Sequence, residues 1–198
     1  MLRAIVCFVL ASGVFSIRAD TVLDFDSLSE LTSVTTQYPG VVFSNATVLM
    51  AGSYLNETDF PPHSGTNVVV DDGGPMSITF STAVDGFGGY FTYAEPLTIE
   101  AFDASQNLLE TVQSAFSNNL LSVGDPGSSP NEFLSISTQS LIAQIVITGD
   151  PSGFSFTLDD ATITTPASSV PEPNSFSLLA MMLAGLALHS SRRLFLKR

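Results

Sequence analysis

The chain has no tryptophan, one cysteine and a body without a single Lys or Arg. Of its 198 residues only six are Lys or Arg: Arg3, Arg18, Arg192, Arg193, Lys197 and Arg198. Every acidic residue except Glu172 lies between Asp20 and Ser169, where there is no Lys or Arg. Such a body excludes nucleic acid as a partner, because affinity for a phosphate backbone comes mainly from Lys and Arg neutralising its charge. The lone cysteine, Cys7, falls in a segment expected to be removed, which leaves no disulfide, thiol nucleophile or Cys metal ligand. The body has one histidine, His63, so zinc lacks a ligand set. What is present is apolar and aromatic: 44% hydrophobic residues and 15 Phe are far from the composition of a disordered acidic tail. The length suits one ordinary domain with short appendages.

The appendages read as addresses. Residues 1–19 carry Arg3 near their start, pass through an apolar stretch at 4–15 and end in Ser16, Ile17, Arg18 and Ala19. This is the layout of a secretory signal peptide, a short helix, and the stretch is too short for a good permanent span. Ala19 suits the residue before a cleavage site, Ile17 is large for two positions earlier, and cleavage after Ser16 is the alternative. At the other end a linker over 166–174 carries Pro171, Glu172 and Pro173, then an apolar segment over 175–191 leads to a basic tail over 192–198. Its most apolar part, 176–188, would span roughly 20 Å as a helix, short of a hydrocarbon core of about 30 Å. The whole of 175–191 is at the lower limit for a transmembrane helix, and Arg192 and Arg193 can snorkel to the interface. Basic residues beside a span stay cytoplasmic, which anchors the protein with its acidic body outside.

The order of a Pro-Glu-Pro motif, a marginal apolar helix and an Arg-rich terminus resembles the PEP-CTERM sorting signal, over about residues 170–198. The resemblance implies an exported bacterial protein processed by exosortase, a membrane cysteine transpeptidase, in an organism that makes exopolysaccharide. It makes Pro171, Glu172 and Pro173 the recognition motif, and Arg192 and Arg193 the stop-transfer cluster. Residues 194–198 depart from the pattern by adding Leu194, Phe195 and Leu196 after the double Arg.

Between the ends, 20–165, helical periodicity is scarce and short strand patterns recur at 22–25, 41–43, 46–49, 68–70, 77–80, 87–93, 97–102, 108–113, 133–137, 142–148, 154–158 and 161–164. Turn clusters rich in Asp, Gly and Pro separate them, as at 71–75, 103–107, 124–130 and 149–151. This spacing predicts an all-β antiparallel sandwich in one domain rather than βαβ units. Alternation puts Leu97, Ile99 and Ala101 on one face and Thr98 and Glu100 on the other, with a hairpin to 108–113. A helical turn fits 28–32, and 118–121 is ambiguous. The stretches Phe25-Asp26-Ser27-Leu28, 38–43, 83–91 and 156–161 resemble the jelly-roll sandwiches that often precede PEP-CTERM tails, which implies a jelly-roll-like fold and, as similar modules often have, a structural calcium.

Asp24, Asp26, Asp159 and Asp160 are the candidate calcium ligands. If the first and last strands lie side by side, these carboxylates converge, and Ca²⁺ takes six to eight oxygen ligands of this kind. Their alternative role is ordinary turns and solvated strand faces. Asp71-Asp72-Gly73-Gly74 forms a second acidic cluster, though Asp-Gly is foremost a turn dipeptide. Catalytic patterns are weak: His63 lies in a Pro-rich loop, and no Gly-x-Ser-x-Gly elbow offers it a serine. A sugar platform would need Tyr38, Tyr54, Tyr90 or Tyr93, yet Tyr90 and Tyr93 face opposite sides of a regular strand, and aromatic side chains filling the core is the favoured reading. Gly86, Gly88 and Gly89 read as a bulge or tight strand entry. Asn45 and Asn56 head Asn-x-Thr triplets.

The expectation is a non-enzymatic, exported cell-surface or extracellular-matrix protein, whose partners are the export machinery, an exosortase-like enzyme, the membrane and extracellular polysaccharide. Two alternatives are a calcium-dependent carbohydrate-binding module and a surface glycosidase or lyase; an exposed aromatic cleft would favour the first of these, and two carboxylates at catalytic spacing the second.

Overall fold

The computed structural model describes residues 15–17, 20–166, 168–170 and 181–183. Its strands are β1 (Phe15–Ile17), β2 (Asp20–Leu23), β3 (Val41–Ser44), β4 (Ala46–Met50), β5 (Asn67–Asp71), β6 (Met76–Tyr93), β7 (Thr98–Phe102), β8 (Leu108–Gln113), β9 (Glu132–Thr148), β10 (Phe156–Thr164) and β11 (Ser168–Val170). Two compact units separate: Met1–Ile17 with Ala167–Arg198, and Arg18–Pro166.

In the first unit β1 and β11 pair antiparallel, Phe15 opposite Val170 and Ile17 opposite Ser168. The end of the expected signal helix is therefore a strand. Met181, Met182 and Leu183 are helical. The rest of the signal peptide and apolar segment, with Pro171, Glu172, Pro173, Arg192 and Arg193, lies outside the described residues. Among the described residues no helix is long and apolar enough to cross a membrane.

The second unit is all-β and antiparallel, with strand order β4-β5-β10-β6-β9-β7-β8, while β2 joins β10 and β3 joins β6. Two long strands bend this sheet over itself. The start of β6, near Met76–Thr79, pairs with the end of β9, whereas its later part, Gly86–Phe91, pairs with Glu132–Ser137. Register shifts between Thr79 and Gly86 mark the bend; such irregularities let a strand turn a corner. Ile78, Ile145 and Ile147 from one half share a single buried core with Phe91, Leu158 and Val48 from the other, which makes the bent sheet a sandwich. Phe25 stands edge-on to both Phe43 and Tyr38, with ring centroids 6.0 and 5.7 Å apart. These T-shaped contacts suit the ring quadrupoles.

The expected alternation in β7 holds: Leu97, Ile99 and Ala101 are fully buried, and β7 pairs with β8 as a hairpin. Its turn is built by Asp103, whose Oδ1 accepts the Ser105 and Asn107 N–H groups. Three pairs of expected short strands prove to be the single strands β6, β9 and β10, because Ser, Thr and Gly within β6, Ser and Thr within β9, and Asp159-Asp160 within β10 read as breaks. The segment 28–32 makes separate turns, Leu28 N–H to Phe25 C=O and Thr32 N–H to Ser29 C=O, and no helix. The ambiguous 118–121 is held instead by buried Asn119. Its Oδ1 accepts from Tyr93 N–H at 2.7 Å and its Nδ2 donates to the Phe91 and Ser129 carbonyls, completing the hydrogen bonding at the end of β6.

Candidate functional site

The outer face of β2, β10, β6 and β9 is organised in rows. Thr164, Gly86 and Ser137 form one row across the sheet, and Thr162, Gly88 and Ser135 the next. Asp20 and Val22 extend these rows onto β2, as partners of Thr164 and Thr162. Because the middle strand contributes glycines, each row is a hydroxyl, a bare backbone and a hydroxyl, and the face is a trough of about 360 Å³. A Cβ on Gly88 would stand 2.9 Å from the Phe133 ring and 3.1 Å from the Ser135 Cβ. The glycine is needed for this close approach rather than for a turn.

The third row closes the trough with aromatic side chains. Tyr90 pairs with Phe133 on one side and Asp159 on the other, and its ring lies 5.1 Å from that of Phe133. The His63 imidazole stacks on Tyr90, with centroids 3.3 Å apart and planes 9° from parallel. Phe133 remains 51% exposed. A wider hollow of about 630 Å³, continuous with the trough at Phe133 and Thr162, is bounded here by Asp24, Asp26, His63 and Asp160.

A bulge in β10 aims the acids. Tyr90 pairs with Asp159 and Gly88 with Thr162, so Asp160 and Ala161 together oppose Gly89. Asp160 takes the left-handed backbone this requires, at φ 46°. The bulge buries Ala161 while Asp160 stays on the outer face. Its Oδ2 lies 2.7 Å from His63 Nδ1 and its Oδ1 accepts from the Ser64 hydroxyl. Asp159 is covered by the same loop: its Oδ2 accepts the His63 and Ser64 N–H groups at 2.8 and 2.9 Å, and its Oδ1 accepts the Asp160 N–H. Burial outweighs these bonds and pushes the Asp159 carboxyl up to about 6, with the neighbouring Asp160 charge adding to the rise.

Asp26 pins the other end of the loop, its Oδ1 accepting from Thr66 and Asn67 N–H. Gly65 sits against that carboxylate at φ 51°, in the left-handed region that favours glycine. In Gly65→Ala the new Cβ would overlap the carboxylate and the backbone would be strained. The variant is expected to lose about 2 kcal/mol of stability, from the strain and two weakened hydrogen bonds. Urea denaturation measures the loss; a variant as stable as the parent would show that Asp26 does not hold the loop.

The structure therefore brings Asp24, Asp26, Asp159 and Asp160 to one end of the sheet, as the pairing of first and last strands predicts. Asp26 and Asp159 accept from loop N–H groups and Asp160 from the His63 and Ser64 side chains, however, and among the described residues no group of three or more His, Cys, Asp or Glu side chains is placed to hold a metal ion. The second acidic cluster is structural: Asp71 is buried and bonded to Ser155 and Phe156, and Asp72 accepts from the Thr47 hydroxyl. Tyr93 is in the core, hydrogen-bonded through its hydroxyl to Glu132, and both burial and that carboxylate raise its phenol. Tyr38 packs on the core and Tyr54 is exposed elsewhere. The side chains of Asn45 and Asn56 donate to Pro75 C=O and Asp59. Sequence reasoning missed Phe133 and the His63 stack. A signal for Phe133 was present: Leu134 and Ile136 point inward, so alternation puts Phe133 outside with Ser135 and Ser137.

No family model matches the chain, and no curated protein matches it in sequence. Solved structures similar in shape include the K2 cleaved adhesin domain of Lys-gingipain, at 12% identity and a TM-score of 0.46, covering 74% of this chain and 100% of that one. A DUF4465 family protein from Bacteroides caccae gives 11% identity and a TM-score of 0.49, over 73% of this chain and 98% of that one. A family 29 carbohydrate-binding module gives 11% and 0.41, over 76% and 90% respectively. At this level of similarity they assign neither a family nor a ligand to the chain.

Proposed function

We propose that the body is a carbohydrate-binding module of an exported surface protein, and that the trough on the outer face holds a stretch of a glycan chain. The observation that carries this is the exposed Phe133 ring, backed by Tyr90 and His63, at the end of a glycine-floored trough whose walls are Ser135, Ser137, Thr162 and Thr164. A sugar ring has an apolar face that packs on an aromatic ring and hydroxyls that exchange hydrogen bonds with a polar rim. Small side chains along the middle strand leave the space that a polymer needs to lie on the sheet. In this reading residues 1–19 export the body and the Pro171-Glu172-Pro173 tail is a sorting signal for an exosortase-like enzyme. In this reading the protein is a binder and not an enzyme, and the His63 imidazole, held between Asp160 and Tyr90, forms part of the aromatic wall. The reading does not require the calcium expected at Asp24, Asp26, Asp159 and Asp160, where Asp26 and Asp159 accept from loop N–H groups.

Glycan-array screening followed by titration of the best oligosaccharide tests this. Phe133→Ala is expected to weaken binding by about 5–30-fold, the loss of one aromatic contact worth about 1–2 kcal/mol, with an unchanged melting temperature because the ring is exposed. A folded protein that binds no glycan, or a Phe133→Ala variant that binds as well as the parent, would overturn the reading.

A further inference from the structure

The charge along the groove names the class of glycan, an inference that rests on the carbohydrate-binding reading above. Asp20 and Asp24 border the trough and its wider end on the β2 side, and Asp26 and Asp160 stand at the aromatic end. Asp20 and Asp24 are exposed, and among the described residues neither side chain has a hydrogen bond or ion pair. They lie four residues apart, about 13 Å at 3.3 Å per residue, so the negative charge accompanies a bound chain along the groove. Among the described residues that line this site the one basic side chain is His63, already 2.7 Å from Asp160. No Lys or Arg occurs between Asp20 and Ser169 to offset these carboxylates.

A groove of this charge repels uronate or sulfated polymers, because like charges across an interface oppose association. For a neutral glycan the unpaired carboxylates offer hydrogen-bond acceptance alone. A glycan carrying ammonium groups adds charge-assisted hydrogen bonds to the same acceptors, which are stronger than neutral ones. The aromatic and glycine floor selects a sugar ring and the acidic border selects its charge. We propose that the groove takes a linear amino-sugar polymer with free amines, a glucosamine-type chain at least partly free of N-acetyl groups.

The test titrates the full chain with glucosamine, N-acetylglucosamine and uronate hexamers and with hexalysine, at a pH where the amines are protonated and at low and moderate salt. The glucosamine hexamer is expected to bind at least tenfold more tightly than the N-acetylated hexamer at low salt, with a smaller margin at higher salt, and the uronate hexamer not to bind. Asp20→Asn with Asp24→Asn should reduce that margin severalfold, because the amide oxygens still accept hydrogen bonds from either hexamer and only the charge is lost, and hexalysine should bind less well than the glucosamine hexamer. The amino-sugar proposal is overturned if the N-acetylated or uronate hexamer binds as tightly, if the double variant keeps the full margin, or if hexalysine equals the sugar, which would show charge adhesion without the groove. Each of these leaves neutral glycan binding to be judged by its own test with Phe133→Ala. Failure of every sugar hexamer overturns this proposal, and failure across the glycan array as well overturns the binding function.

Discussion

Asp71→Ala is expected to lower the stability of the body by about 4 kcal/mol, whereas Asp71→Asn should cost about 1 kcal/mol or less. Asp71 ends β5 and is fully buried. Its Oδ1 accepts the Ser155 and Phe156 N–H groups at 2.8 and 3.0 Å, and its Oδ2 accepts the Ser155 hydroxyl at 2.8 Å. Its carbonyl takes the N–H of Phe154, a non-glycine residue at φ 58°. The side chain therefore fixes the entry of β10 into the sheet, while the main-chain carbonyl helps hold a strained turn beside it. Alanine strands these donors away from water, at about 1–3 kcal/mol for each unsatisfied group; the hydroxyl can rotate to another acceptor, which keeps the total near 4. Asparagine keeps one oxygen for the two N–H groups, and its amide can donate to Ser155 Oγ, which also accepts from Asp150 N–H. It also removes a charge from a place where burial already raises the carboxyl above its usual range. Urea denaturation with an unchanged slope separates the two variants. Equal losses in both would mean that the charge, and not the hydrogen-bond pattern, holds this junction.

The legible parts of the fold were those written in local alternation. Leu97, Ile99 and Ala101 specify a half-buried strand without reference to the rest of the chain, and the Asp103 turn follows it at once. The bent strands were not legible, because Ser81, Thr82, Asp85 and Gly86 have the composition of a turn and only the sheets on both sides keep them extended. At the site, the meeting of Asp24 and Asp26 with Asp159 and Asp160 followed from a topological expectation, that the first and last strands pair. What those acids do did not follow. Their partners come from residues 63–67, a loop fixed by contacts about 40 or 95 residues away in sequence, and no local pattern records such distances. The same loop puts His63 on Tyr90, which turned a histidine with no sequence context into part of an aromatic wall. Phe133 was readable by alternation, but its importance depends on Gly88 beneath it, a relation between strands.

The buried carboxylate under that loop makes stability depend on pH. Below about pH 3.8, the ordinary carboxylate value, Asp159 is protonated whether the chain is folded or not, and its contribution is fully present. Burial raises the folded value to about 6; the folded state then holds the proton more tightly than the unfolded chain, and this contribution is lost as pH rises through about 6. The difference corresponds to about 2–3 kcal/mol between pH 4 and pH 7. Burial also raises Asp71, and self-repulsion in a body without Lys or Arg grows as its carboxylates ionise; both work in the same direction. The informative quantity is therefore the difference between the parent and Asp159→Asn, measured by urea denaturation at several values from pH 4 to pH 7. The variant is expected to show a shallower decline by about 2–3 kcal/mol, since its amide oxygen can still accept from His63 and Ser64 N–H but nothing there ionises. Parallel curves would place the pH dependence elsewhere in the body. A shallower curve for the variant would show that ionising Asp159 opposes folding, so that the loop carrying His63 rests on a carboxyl whose protonated form the fold favours.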